Sequence, residues 1–142
     1  MRNYEVTFIV DPVLSGDEIK STAQTYVDHL KQVGAEVIHV DEMGLKQLAY
    51  PIAKRTSGVY YCIEFASQTG ELIPQMELAL RRDERIMRFL TVSLDKFGVK
   101  YNEDKRNGLI GKKNREKQEA AKEAAKEAAI ADAKAAAKAE EE

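Results

Sequence analysis

Few side chains in this 142-residue chain have the type and spacing to do chemistry. His29 falls on the polar side of a helical pattern and His39 in a strand pattern. Neither has a Cys or carboxylate at ligand spacing, so they do not make a metal site and read as ordinary surface or satisfied histidines. Cys62 is the single cysteine, which excludes an internal disulfide and fits a reducing compartment. It lacks any nucleophile signature and reads as a small strand residue. Glu5 and Glu64 would be neighbours if the first and third strands form the central pair. A carboxylate dyad there has no companion base or oxyanion motif, and reads as a solvated pair. No phosphate loop and no dinucleotide fingerprint occurs. The expectation is a protein with no catalytic residue, no metal, no cofactor and no small-molecule substrate.

The cations carry more information. Residues 1–94 hold ten Lys and Arg, and eight of them gather at strand ends and one edge: Arg2, Lys46, Lys54, Arg55, Arg81, Arg82, Arg85 and Arg88. Tyr4 and Tyr50 lie beside them in the sequence. Guanidinium and ammonium groups position phosphates, and tyrosines stack on bases or ribose. The plainer alternative is ordinary surface charge, some of it paired with Asp83 and Glu84. The stretch from Gly44 to Arg55 is the densest case. It reads as the end of a strand running into a basic, aromatic, proline-stiffened hairpin arm.

These residues must be held by elements, and the elements are readable. Asn3–Val10 alternates as a strand with Tyr4, Val6, Phe8 and Val10 on one face, ended by Asp11-Pro12. Ser15 and Glu18 form a capping box. The helix that follows puts Ile19, Ala23, Tyr26, Val27 and Leu30 on one side, and Gly34 suits its left-handed end. Residues 35–50 read as extended, with a bulge near residues 41–44. Thr56-Ser57-Gly58 is the expected return turn. Val59–Phe65 is a strand whose Val59, Tyr61, Ile63 and Phe65 face the core. Thr69 is the expected cap of a second helix, with Pro74 in its first turn and Ile73, Met76, Ala79 and Leu80 as its stripe. Residues 85–94 form a last strand, apolar on both faces, which leaves its register open.

The order β-α-β-β-α-β predicts an α+β, ferredoxin-like fold. Two helices cover one face of a four-stranded antiparallel sheet, and the other face is open. Residues 1–95 form this domain. Residues 96–142 form a C-terminal tail, basic at first and then rich in Ala, Lys and Glu, of the kind that makes partly helical spacers.

Charge and hydropathy narrow the classes further. Formal net charge is −2 overall, −3 over residues 1–94 and +5 over residues 96–118. A mildly acidic core argues against strong RNA binding by the chain alone, because that affinity comes mostly from neutralising phosphates. Local patches, or a partner that supplies charge, must contribute. Glu5 and Asp11 in the apolar opening stretch are unlike a signal peptide. No apolar run reaches the ~20 residues of a membrane span. A soluble cytoplasmic protein is expected.

Several stretches together resemble a known family. They are Met1-Arg2-Asn3-Tyr4-Glu5, Pro12, the run from Gly44 through Leu48-Ala49-Tyr50-Pro51-Ile52 to Lys54, Gly58-Val59-Tyr60, and the run from Arg82 to Leu90. In order and spacing they are similar to the sixth protein of the bacterial small ribosomal subunit, over residues 1 to about 94. The resemblance implies a ferredoxin-like fold and a non-catalytic, ribosome-bound role. It implies binding to the central domain of small-subunit ribosomal RNA, on the platform, together with the eighteenth small-subunit protein. Carried over residue by residue, RNA contact falls on Arg2, Tyr4, Lys46, Lys54, Arg55, Arg85 and Arg88. The edge of the second strand, with Leu48, Tyr50 and Ile52, is the candidate surface for the protein partner.

Two other readings share the topology. The RNA recognition motif wants a basic residue before Gly58 and further aromatics on the open face; Ser57, Cys62 and Glu64 stand there instead. A small-molecule sensor or enzyme is permitted by fold alone, but no Gly-rich ligand loop or titratable cluster supports it.

Overall fold

The computed structural model describes residues 1–111. The Ala/Lys/Glu-rich part of the tail lies outside the described residues. The chain divides into two units, Met1–Lys96 and one beginning at Phe97.

In the first unit the elements are β1 (Arg2–Val10), α1 (Gly16–Gln32), β2 (Glu36–Ile52), β3 (Arg55–Ser67), α2 (Leu72–Arg82) and β4 (Ile86–Leu94). They form one antiparallel sheet of order β2-β3-β1-β4. This is the ferredoxin-like arrangement expected from the pattern. β1 and β3 are the central pair, with Glu5 opposite Glu64.

The helices cover the face that alternation selects. Val6, Phe8 and Val10 of β1 and Tyr61, Ile63 and Phe65 of β3 are buried against Ile19, Ala23, Tyr26, Val27 and Leu30 of α1 and Leu72, Met76 and Leu80 of α2. Phe8 is the centre of this core, its ring 5.5 Å from that of Tyr26 and 5.8 Å from that of Tyr61. Each fully buried side chain of this size contributes roughly 1.5–3 kcal/mol.

Caps fix the entry and exit of α1. Glu18 N–H donates to Ser15 Oγ at 3.4 Å, and Ser15 N–H donates to the Glu18 carboxylate at 2.9 Å. Bonding of that carboxylate to the Ser15 backbone holds its pKa below the usual range. At the other end Gly34 takes φ +84°, a conformation that glycine adopts without steric cost.

Three expectations change. The return turn is not Thr56-Ser57-Gly58 but Ala53-Lys54, both with positive φ, between the paired residues Ile52 and Arg55. A two-residue loop of this handedness matches the strand twist, and Gly58 belongs to β3 instead. There it makes room for Ile9: a Cβ on Gly58 would overlap Ile9 Cγ2. Second, Thr69 does not cap α2. Its carbonyl accepts from Ser67 Oγ at 2.8 Å, and the helix starts after Glu71 with no side-chain cap. Third, the face away from the helices is not uniformly open. Glu64 and Ala66 are buried on it, while Leu90 and Val92 of β4 are exposed.

The register of β4 is set by β1, which places Arg88 opposite Ile9, Leu90 opposite Thr7 and Val92 opposite Glu5. The bulge expected near residues 41–44 is present as a register shift between Glu42 and Gly44, with Gly44 at φ +79°. The second unit begins in α3 (Lys96–Arg106), a helix with no buried residue.

Candidate nucleic-acid interface

Alternation along the strands builds one row of side chains across the end of the sheet. Arg88 of β4 stands opposite Ile9 of β1, which stands opposite Tyr60 of β3, which stands opposite Gly44 of β2. The β2–β3 arm continues past this row to the turn at Ala53-Lys54. Lys46, opposite Gly58, puts its Nζ 5.9 Å from the centre of the Tyr60 ring, within reach of a cation–π attraction. Farther along the arm, Tyr50 returns to Arg88. The guanidinium donates a hydrogen bond to the Tyr50 hydroxyl and lies 5.4 Å from the centre of its ring. The two residues belong to the opposite edge strands of the sheet.

Arg55, just after the turn, pairs with Asp11 at 3.3 Å. The Asp11 carboxylate also accepts from Val13 N–H at 3.0 Å, which closes the end of β1. Lys54 sits exposed in the turn. Lys46 is thus set against Tyr60 and Arg88 against Tyr50, while Lys54 lies in the turn and Arg55 beside Asp11 at the same end of the sheet. Fixed cations interleaved with aromatic rings can hold phosphates and stack bases.

The other expected RNA contacts lie elsewhere. Arg2 opens β1 opposite Ser67, roughly 26 Å along the strand from Val10 at the ordinary strand rise. Tyr4 is a core residue, 8% exposed with its ring stacked at 5.7 Å on Phe65. Its position on the helix side of the sheet removes that ring from any stacking surface. Arg85 makes a two-pronged contact with Asp83, both N–O distances 2.9 Å, and the same carboxylate accepts from Tyr26 Oη at 2.6 Å. Burial opposes ionisation of Asp83, but the bonds from Arg85 and Tyr26 outweigh it and hold its carboxyl below the usual range.

β2 is an edge strand. Leu48 and Ile52 are half-buried and Tyr50 is 56% exposed. Sequence reasoning missed Leu45, 65% exposed on the same strand. It also missed Tyr60, whose signal was its alternation with the core-facing Val59 and Tyr61.

Of the remaining chemistry candidates, Glu5 and Glu64 do come opposite each other on the central strands, but Glu64 is buried, so the pair is not the solvated one expected. Burial pushes the Cys62 thiol up to about 11, so it is no thiolate nucleophile at neutral pH. Among the described residues no group of three His, Cys, Asp or Glu could hold a metal ion. No described helix is long and apolar enough to cross a membrane.

A β2-β3-β1-β4 sheet backed by two helices and ending in a basic aromatic arm defines a ferredoxin-like domain. The family model for ribosomal protein S6 matches residues 3–93. The chain belongs to the ribosomal protein S6 family, whose members are structural proteins of the small ribosomal subunit. It is similar to small ribosomal subunit protein bS6 of Christiangramia forsetii, 44% identical over 117 residues that cover 82% of this chain and 99% of the relative. The bS6 protein of Parabacteroides distasonis is 43% identical over 107 residues, 75% of this chain and 90% of the relative. Among solved structures, the 30S ribosomal protein S6 of Thermotoga maritima matches with a TM-score of 0.65 at 26% identity, covering 75% of this chain and 97% of that one.

Proposed function

We propose that this protein binds the central domain of small-subunit ribosomal RNA, on the platform, jointly with the eighteenth small-subunit protein. It works in the cytoplasm and does no catalysis. Residues 1–95 are the RNA-binding domain and residues 96–142 an extension. The observation that carries the reading is the pairing of Lys46 with Tyr60 and of Arg88 with Tyr50 at the end of the sheet from which the arm with Lys54 and Arg55 extends. Away from that end the face opposite the helices carries Glu5, Asp41 and Glu64. Such a face disfavours phosphate and favours a basic protein.

The roles divide accordingly. Lys46, Lys54 and Arg88 face phosphate, and Arg55 joins them by exchanging its exposed pairing with Asp11. Arg2 and Arg85 are outlying contacts, and Tyr4 has no direct part. Leu48 and Ile52, with Leu45, face the protein partner, and Tyr50 stands between the two surfaces.

The test is a titration of a central-domain RNA fragment with this chain, with the partner, and with both. Joint binding predicts that the pair binds more tightly than either alone, with the difference shrinking at high salt. A chain that alone matches the pair overturns the joint surface. A pair that gains nothing from this chain overturns the RNA role.

A further inference from the structure

Ile9 is buried, 8% exposed, on the face of the sheet that the helices do not cover. Alternation with Phe8 and Val10, which face the helices, turns its side chain the other way. The other β1 residues of that face, Asn3, Glu5 and Thr7, are half-buried. Along β1 the face is therefore closed only where the arm begins.

What closes it is apolar. Arg88 stands opposite Ile9 and Ile86 opposite Val10, so Met87 is the extra residue of a bulge in β4. Ile9 Cγ2 occupies the place where a Cβ would stand on Gly58, and Met87 Sδ lies 3.6 Å from that place. Ile9 and Met87 thus form a small apolar floor around Gly58, apart from the helix-side core.

This floor lies between the two ring–cation pairs. On one side of Ile9 stands Arg88, which holds Tyr50; on the other stands Tyr60, which carries Lys46. With strands about 4.8 Å apart, Arg88 and Tyr60 rise from positions roughly 10 Å apart, and Ile9 fills the gap. Side chains directly opposite on one face interact. A β-branched side chain has few rotamers, and the notch at Gly58 leaves Ile9 little room to change. A bulge re-aims the side chain beside it, which here is Arg88.

We infer that Ile9, locked with Met87 into the Gly58 notch, is a positioning residue for RNA binding: it sets the aim of the Arg88 guanidinium and its separation from the Tyr60–Lys46 pair. The inference rests on the RNA role proposed above and adds an uncharged residue that acts through Arg88 and not by touching RNA.

The experiment titrates the full chain, with the basic partner, on the same central-domain RNA fragment. The forms are wild type, Ile9→Ala, Ile9→Val, Arg88→Ala, Ile9→Ala/Arg88→Ala and Val6→Ala, each shown to be folded by circular dichroism at the temperature used. Val6, 1% exposed in the helix-side core, controls for lost packing. Ile9→Ala is expected to weaken binding roughly three- to tenfold, the range for the freedom that a long side chain loses on binding. Ile9→Val keeps the branch at Cβ and is expected to restore most of the affinity. Val6→Ala, and Ile9→Ala in the Arg88→Ala background, are each expected to cost less than about twofold, because neither change can then act through Arg88. If Arg88→Ala weakens binding and Ile9→Ala does not, the inference is overturned and the RNA reading stands. Equal losses from Ile9→Ala with and without Arg88, or an equal loss from Val6→Ala, also overturn it. If neither Ile9→Ala nor Arg88→Ala changes the affinity, the place of Arg88 in the RNA surface falls as well. Should Ile9→Ala fail to fold, Met87→Ala opens the same floor from the edge strand and carries the same expectations.

Discussion

Tyr50 and Arg88 come from opposite edge strands of the sheet and meet at its end. The Arg88 guanidinium hydrogen-bonds the Tyr50 hydroxyl and lies 5.4 Å from the ring centre. The contact fixes the direction of the arm and the aim of the cation together. A guanidinium held over a ring has less freedom to lose when a phosphate arrives.

Removing this contact should loosen the arm and leave the core intact. Tyr50→Ala is expected to raise amide hydrogen exchange a few-fold at residues 49–55, since an exposed cation–π contact is worth about 0.5–1 kcal/mol. Exchange at Phe8 and Ile63, both fully buried, should not change. Equal acceleration at both places would mean that Tyr50 supports the whole domain.

Gly58 and Ile9 should be coupled. A Cβ at position 58 meets Ile9 Cγ2 and must displace it. Gly58→Ala is expected to cost about 1–3 kcal/mol, the usual range for overpacking. In the Ile9→Ala background the same change should cost much less, because the opposing methyl is gone. Urea midpoints of the four forms give the coupling energy, and simple additivity would sink the steric account.

The Asp83 site predicts a pH dependence. Its carboxyl lies below the ordinary value of 3.8 in the folded chain because Arg85 and Tyr26 bond the ionised form despite partial burial. A depressed carboxyl contributes stability above its unfolded pKa, and that contribution is lost as pH falls through the folded value. Wild type should therefore lose stability relative to Asp83→Asn as pH falls from about 5 to 2. Urea midpoints measured across that window check it. Parallel curves for the two proteins would show that Asp83 ionisation is not linked to folding.

The arm lysines should set the salt dependence of RNA binding. Each phosphate contact contributes about 0.7–0.9 to the slope of log affinity against log salt. Lys46→Ala/Lys54→Ala should lower the slope by roughly 1.5, whereas Lys20→Ala/Lys31→Ala on α1 should leave it unaltered. A slope unchanged by the arm pair would remove both lysines from the interface.

The sequence carried the fold in its repeats. β1 and β3 alternate cleanly, and α1 opens on a capping box, so faces and ends were readable at Val6, Phe8, Tyr61, Ile63, Ser15 and Glu18. What alternation does not encode is register. Whether Lys46 reaches Tyr60, or Tyr50 reaches Arg88, depends on how β2 slips past β3 at each bulge. The turn was misplaced for a related reason. Ala53-Lys54 lacks the Asn-Gly or Asp-Gly signature of its turn type, while Gly58 looked like a turn residue and serves packing against Ile9. Tyr4 was assigned by its neighbours in the sequence, although its own alternation with Val6 and Phe8 placed it in the core. The partners of Arg55 and Arg85 are local carboxylates that charge counting does not resolve.

The bulges of β2 have one more effect. Register shifts between Val37 and His39, Glu42 and Gly44, and Gln47 and Ile52 leave runs of only four regularly paired residues between them. Along the outer side of this edge strand, free N–H and C=O groups therefore come at uneven intervals. A straight strand from a second copy, or from a misfolded neighbour, finds no long matching ladder there. A partner whose backbone bends in step does. The irregular edge is in that sense a filter against self-association, on a strand that leaves Leu45 and Tyr50 exposed.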